Sequence, residues 1–355
     1  MTSDPAKILL PLLTCIETLS LIARHLDPSA LGEVMEAVGA PDAALRAVYS
    51  DFKPSDASDD VGKRLVTASD EALSAFAELR VAAGQGDVRV VFKALRHLPR
   101  AQEALYPLAS MIPVVNGFFL DPSLRSDADA LARSMQPPRQ NQTGVMHVDN
   151  EPRTRGGFSL YVPETYTPDR AWPLVVALHG GSGHGRGFLW SWLRDARSFG
   201  AIVVTPTSAG NSLGSTWALM GDDNDTPNLA RIVATVRERW NIDPERLLLT
   251  GMSDGGTFCY VSALDNGSPF THLAPVSATF HPMLISMADA ERMQGLPIFL
   301  THGALDWMFP VEVARQAQRA LSAAGASVTY REIDDLSHTY PREINAELLR
   351  WLNGA

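Results

Sequence analysis

The chain has 355 residues, 45% of them apolar and 20% charged, which suits a globular protein with an ample core and more chain than one domain usually holds. The formal net charge of −10, from 30 Lys and Arg against 40 Asp and Glu, is spread along the chain. The basic footprint that binding to nucleic acid requires is therefore missing, and no nucleic-acid partner is expected.

From the start to about Met135 the pattern is helical. Leu9, Leu12, Leu13, Ile16, Leu19 and Ile22 recur at three- and four-residue steps, giving one apolar face. This leucine-rich stretch lacks a basic leader and carries Pro11 and Glu17, so neither an export signal nor a membrane span is expected. Ser29 and Gly39 are read as the start and stop of a second helix. Further helices are expected over 59–83, 87–109 and 121–135. The stretch from Gln136 to Gly144 is polar, contains proline and has no period, so it reads as a linker. The expected division is a helical domain over 1–140 and a catalytic domain over 141–355. The helical domain is assigned to packing, with a substrate-shaping cap or a dimer surface (a homo-oligomer) as the other readings.

After the linker, short apolar runs alternate with helical patterns. Strands are expected at 158–162, 174–178, 201–205, 247–250, 273–277, 297–301 and 327–331. Helices are expected at 228–240, 257–264, 311–323 and 341–352. The alternation predicts an α/β fold with a mostly parallel sheet covered on both faces, whose ligands bind at the carboxyl ends of the strands.

The most informative stretch is Leu247 to Gly256, three leucines and a threonine running into Gly251-Met-Ser-Asp-Gly255. The pattern G-x-S-x-G after a strand and before a helix is that of a nucleophile elbow. There a serine sits on a sharp turn, and a Cβ two residues to either side would clash. A serine hydroxyl is a poor nucleophile near neutral pH, so Ser253 needs a base and an orienting acid. In an elbow-bearing fold these follow in the order Ser, acid, His at later strand ends. Asp306, after the strand 297–301, and His338, after the last strand, meet that order. Asp334 and Asp335 are weighed as alternative acids and read as solvated. His272 and His281 are weighed as alternative bases, His302 is read as a turn residue, and His25 and His97 as residues of helices. Acyl transfer also needs donors for the developing oxyanion. Asp254, the residue after the nucleophile, supplies one, and the loop His179-Gly-Gly-Ser-Gly-His184 supplies the other, with Gly181 first and Gly180 next.

The glycine-rich stretch Gly181 to Gly187 also invites a phosphate-binding reading. No lysine follows Lys93, and the spacing does not fit a dinucleotide fingerprint. His179 and His184 lack a third ligand in metal spacing, so no metal is expected. Cys15 and Cys259 show no disulfide or metal spacing, which fits a reducing, cytoplasmic location. Trp190, Trp217 and Trp307 are candidate pocket-lining residues, with packing of loops onto the sheet as the other explanation. The stretch 207–227 has the composition of a pocket rim.

With Tyr161-Val-Pro-Glu, Pro173-Leu-Val-Val-Ala-Leu-His-Gly180, Asn241-Ile-Asp-Pro-Glu-Arg246 and the elbow in place, the region from about Gly157 to Leu352 resembles an α/β-hydrolase esterase. The similar branch contains phospholipase/carboxylesterase-type, feruloyl-esterase-like and polyhydroxyalkanoate-depolymerase-like enzymes. The resemblance implies hydrolysis of a small-molecule carboxylic ester through an acyl-enzyme, without cofactor. The doubled glycine Gly255-Gly256 is also seen in prolyl-oligopeptidase-like serine peptidases, which keeps a peptidase as the alternative. A non-catalytic interaction protein on the same scaffold is the remote one.

Overall fold

Two compact units, Met1–Pro137 and Pro138–Ala355, divide the chain. The computed structural model describes all residues except 1–4, 55–57, 86–87, 211–216, 218, 220–222 and 355.

The first unit contains α1 (Pro5–Arg24), α2 (Leu31–Val38), α3 (Asp42–Tyr49), α4 (Asp60–Gln85), α5 (Val88–Leu95), α6 (His97–Leu105), α7 (Pro113–Phe118) and α8 (Ala128–Ser134). By length and composition α1 is apolar enough to cross a membrane. Its apolar face, from Ile8 to Ile22, is buried, and α1 packs on α3 and α4. Ser29 does not cap α2. The cap position is Ala30, and the Ser29 hydroxyl donates to Asp27 Oδ1 at 2.6 Å.

The helix expected over 87–109 is broken in two and followed by a 3₁₀ turn, Tyr106–Ser110. Pro99 gives the reason. A proline ring clashes with the carbonyl four residues back, here Leu95, where α5 ends, yet is tolerated in the first turn of a new helix. The start expected at Asp87 lies outside the described residues. The element expected over 121–135 is a 3₁₀ turn, Pro122–Leu124, and the shorter α8, whose first amides are capped by Asp127 Oδ1. Helices α3 and α7 were not expected from the sequence.

The second unit is built on β1 (Gly144–Val148), β2 (Phe158–Val162), β3 (Trp172–Leu178), β4 (Ile202–Pro206), β5 (Ile242–Met252), β6 (His272–Val276), β7 (Pro297–Gly303) and β8 (Ser327–Ile333). The spatial order is β1-β2-β4-β3-β5-β6-β7-β8. β1 and β2 join antiparallel at one edge, and all pairs from β4 to β8 are parallel. The helices are α9 (Gly185–Phe199), α10 (Asp225–Arg239), α11 (Asp254–Ala263), α12 (Met283–Met287), α13 (Ala290–Met293), α14 (Val311–Ala323) and α15 (Ile344–Leu352). This is the α/β-hydrolase architecture that the elbow pattern implies.

Burial follows position in the sheet. Every residue of β2, β3 and β4 is buried, as strands covered on both faces must be, whereas the edge strand β8 alternates between exposed and half-buried. β1 begins inside the stretch read as a linker. Its side chains after Gly144 are only half-buried, so it carries no continuous apolar run to betray a strand.

Candidate active site

The site is assembled from the carboxyl ends of β3, β5, β7 and β8. At the end of β5 the chain turns sharply into α11, leaving Ser253 at φ 56° and ψ −118°. Such a conformation costs a non-glycine residue roughly 1–3 kcal/mol and persists only where its surroundings impose it. They do so here by close approach. A Cβ at Gly251 would sit 2.5 Å from the Gly255 carbonyl carbon, and one at Gly255 would sit 2.6 Å from the carbonyl oxygens of Leu178 and His179. The Ser253 amide donates to Val276 O of β6 at 2.9 Å, which pins the turn to the sheet.

Ser253, His338 and Asp306 form one hydrogen-bonded chain. Ser253 Oγ is 3.0 Å from His338 Nε2, and His338 Nδ1 is 2.8 Å from Asp306 Oδ2. All three are buried. The other carboxylate oxygen of Asp306 accepts from the amides of Met308 at 2.9 Å and Phe309 at 2.7 Å, so the acid is fixed by its own loop. Burial alone raises the Asp306 carboxyl. The hydrogen bonds from His338 and the Phe309 amide outweigh it and hold the group below the usual carboxylate range.

The alternatives fall away from this chain. Asp334 and Asp335 are exposed beyond β8. His272 opens β6 at the opposite end of the sheet and packs edge-on to Trp351, and His281 is exposed. His302 is not a turn residue. It lies buried on β7, where its Nε2 is 2.9 Å from Phe309 O and 3.4 Å from Asp306 Oδ2. Burial depresses its pKa, so the neutral ring donates to Phe309 O and supports the loop holding Asp306.

The loop after β3 comes close to Ser253. A Cβ at Gly180 would be 3.6 Å from Ser253 Cβ. Gly180 to Gly183 form a turn closed by the Gly183 amide on Gly180 O at 3.0 Å, with Ser182 at φ 58°. Gly181 is exposed on this turn, and Asp254 is the first residue of α11, where amides lack intrahelical acceptors. His179 is 2% exposed, and burial pushes its pKa down to about 3. The neutral ring then donates from Nδ1 to Gly180 O at 2.8 Å and accepts from the Ser208 amide at Nε2 at 3.2 Å.

The three tryptophans separate. Trp217 is buried between His179 and Phe258 and donates to His179 O at 2.7 Å, so it packs the loop onto the sheet. Trp190 is buried on α9. Trp307 is 41% exposed, with its ring centroid 6.0 Å from that of His338. Of the rim expected over 207–227, residues 211–216, 218 and 220–222 lie outside the described residues, and Thr207 and Ser208 at its start are buried. Among the described residues, no group of three or more His, Cys, Asp or Glu is arranged to hold a metal ion.

Some supporting groups were not found from the sequence. Tyr340, two residues beyond His338, donates to Asn345 Oδ1 at 2.7 Å. Asn345 Nδ2 in turn donates to Ser191 O at 2.8 Å and Asp195 Oδ2 at 3.0 Å on α9. This network ties the His338 loop to the helix that follows the glycine-rich turn.

Residues 222–353 match the Phospholipase/Carboxylesterase family. A bifunctional acetylxylan esterase/xylanase from Neocallimastix patriciarum is 30% identical over 156 residues, covering 41% of this chain and 21% of that protein. The chain thus spans about a fifth of the length of this curated relative. Similar solved structures include a thermostable esterase, 25% identical, covering 59% of this chain and 62% of the other, with a TM-score of 0.44. Acyl-protein thioesterase 2 of Zea mays is 20% identical, covering 56% of this chain and 97% of its own, with a TM-score of 0.41. By its strand order and its elbow the second unit has the α/β-hydrolase fold, and its residues 222–353 are similar to the Phospholipase/Carboxylesterase family.

Proposed function

We propose that the protein hydrolyses small carboxylic esters through an acyl-enzyme on Ser253. The observation that carries this reading is the hydrogen-bonded chain from Ser253 through His338 to Asp306 on a strained elbow. His338 Nε2 takes the Ser253 proton as Oγ attacks the ester carbonyl, and Asp306 holds the imidazole in the tautomer that accepts it. The amides of Gly181 and Asp254 receive the oxyanion. His338 then gives the proton to the departing alcohol, and a water activated by the same ring releases the acid. No metal or organic cofactor enters the cycle.

Trp307, with the exposed Leu305 and Met308 beside it, forms the apolar wall for substrate next to His338. Acetyl esters belong in the first substrate panel, because the curated relative is named an acetylxylan esterase. Cytoplasmic residence is part of the reading and rests on two buried free thiols, Cys15 and Cys259, both shifted upward by burial. The test is turnover of aryl esters of increasing acyl length, with a peptide anilide alongside. Ser253→Ala should lower kcat by about 10⁴-fold or more while circular dichroism stays unchanged. Retained activity in that variant would overturn the assignment.

A further inference from the structure

The glycine-rich turn is held from outside by a residue with no place in the reaction scheme. Arg155 lies on the connection between β1 and β2, before the family match begins. Its backbone neighbourhood is fixed. The Gly156 amide donates to Thr207 O at 3.0 Å, the Thr207 amide donates to Gly157 O at 2.8 Å, and Asn228 Nδ2 donates to Gly156 O at 3.1 Å. From this anchor the guanidinium reaches two acceptors at once. Nη1 donates to Gly183 O at 3.0 Å and Nη2 donates to Ser208 Oγ. Gly183 closes the turn that presents Gly181, and the amide of the same Ser208 donates to His179 Nε2. One planar cation therefore spans both feet of the turn.

The turn has little room to adopt another shape. A Cβ at Gly183 would sit 2.8 Å from Gly180 O and 2.9 Å from His179 Nδ1. His184, at its far end, is tied to the same connection, with Nε2 3.1 Å from Glu151 O and 3.0 Å from Thr154 O. The facing charged and titratable groups are Asp225, whose charge favours the cation, and the two histidines. Burial lowers the pKa of both rings, and the charge of Arg155 lowers it further. The cation thus helps keep both rings neutral, as the His179 bonds require.

We propose that Arg155 is a positioning residue of the oxyanion hole: its bidentate grip on Gly183 and Ser208 holds the turn so that the Gly181 amide is aimed at the reacting carbonyl oxygen. The proposal rests on the ester-hydrolase reading above. A guanidinium can bridge two acceptors in one plane, whereas a lysine ammonium offers a point charge. Lost aim appears in the transition state, where charge develops on the oxygen, more than in substrate binding.

The experiment compares wild type, Arg155→Ala and Arg155→Lys on one short aryl ester. A fluorophosphonate label on Ser253 counts the intact sites, and a boronic acid serves as the tetrahedral mimic. Arg155→Ala should lower kcat per labelled site by about 10- to 100-fold, somewhat less than the 10²–10³ for deleting a donor outright, with KM within about threefold. Boronate affinity should fall in step with kcat/KM. Arg155→Lys should recover part of kcat, and guanidinium at low, non-denaturing concentration should partly rescue Arg155→Ala. Wild-type kcat in the alanine variant would overturn the proposal, as would a loss that leaves boronate affinity unchanged, or a loss carried wholly by fewer labelled sites. Failure of wild type to label at Ser253 would instead strike the ester-hydrolase reading.

Discussion

In the helical unit the buried carboxylate, Asp42, is answered by two arginines, one of them, Arg46, a single turn away on the same helix and the other, Arg80, on α4. In the second unit the buried side chains of Ser253, His338 and Asp306 converge on the strand ends from distant parts of the chain. Among the described residues, the non-glycine positions with positive φ (Asn141, Asp149, Ser182, Ser253 and Ser277) all lie in the second unit. Helical packing needs only a periodic apolar face, which local sequence can specify. A site that must hold a serine, an imidazole and a carboxylate in line needs strained backbone and buried partners, which only the assembled fold can impose. Substitutions in the two units should accordingly separate chemistry from stability.

Beyond removal of the serine itself, the largest effect is expected from Asp306→Asn. The amide nitrogen cannot accept from His338 Nδ1, so the ring is driven to the tautomer that fails to take the Ser253 proton. A fall in kcat of about 10⁴-fold is expected, by analogy with the same change in a serine protease. Stopped-flow or steady-state turnover of an aryl ester measures it, and a fall of less than tenfold would show that Asp306 does not orient the base. By contrast, Leu12→Ala empties part of the core between α1 and its neighbours, where Leu12 is fully buried. It should cost about 2–5 kcal/mol of unfolding free energy in the helical unit. Under conditions where the variant is folded, kcat/KM should stay within twofold of wild type. A parallel loss of turnover would break the contrast and give the helical unit a part in the site.

The same contrast explains what the sequence disclosed. Central strands were legible because burial on both faces demands an unbroken apolar run, as in Leu174 to Leu178. Edge strand β1 was not, since its half-buried side chains include His147 and no such run. Ser253, Asp306 and His338 were readable from order along the chain. Their supports were not, because each partner lies far away in sequence: Arg155 is 28 residues from Gly183 and 53 from Ser208, and Asn345 is 150 from Asp195. His302 was misread for a related reason. Its strand extends two residues beyond the apolar run, which turns a presumed loop residue into a buried one.

The smallest effect expected is a slope in stability with pH between 6.5 and 4, where the depressed histidines all belong to the second unit. The pKa of His179 lies near 3 in the folded protein against an ordinary value of 6.5. Between those two values the unfolded chain carries a proton that the folded protein lacks. Stability contributed by the neutral ring is therefore fully present above pH 6.5 and is lost as pH falls toward 3, at up to about 1.4 kcal/mol per pH unit for one such proton. His184, His272 and His302, also depressed chiefly by burial, add to the same slope. Asp306 acts lower down, since its contribution is present above the ordinary 3.8 and disappears as pH falls through its depressed value. His179→Asn keeps a donor for Gly180 O and removes one titrating ring. Urea unfolding at a series of pH values should find this variant less stable than wild type at pH 7, but with a slope between pH 6.5 and 4 shallower by about one proton. Equal slopes would mean that the folded protein already holds the proton on His179, and the neutral, two-bonded ring beneath the glycine-rich turn would have to be abandoned.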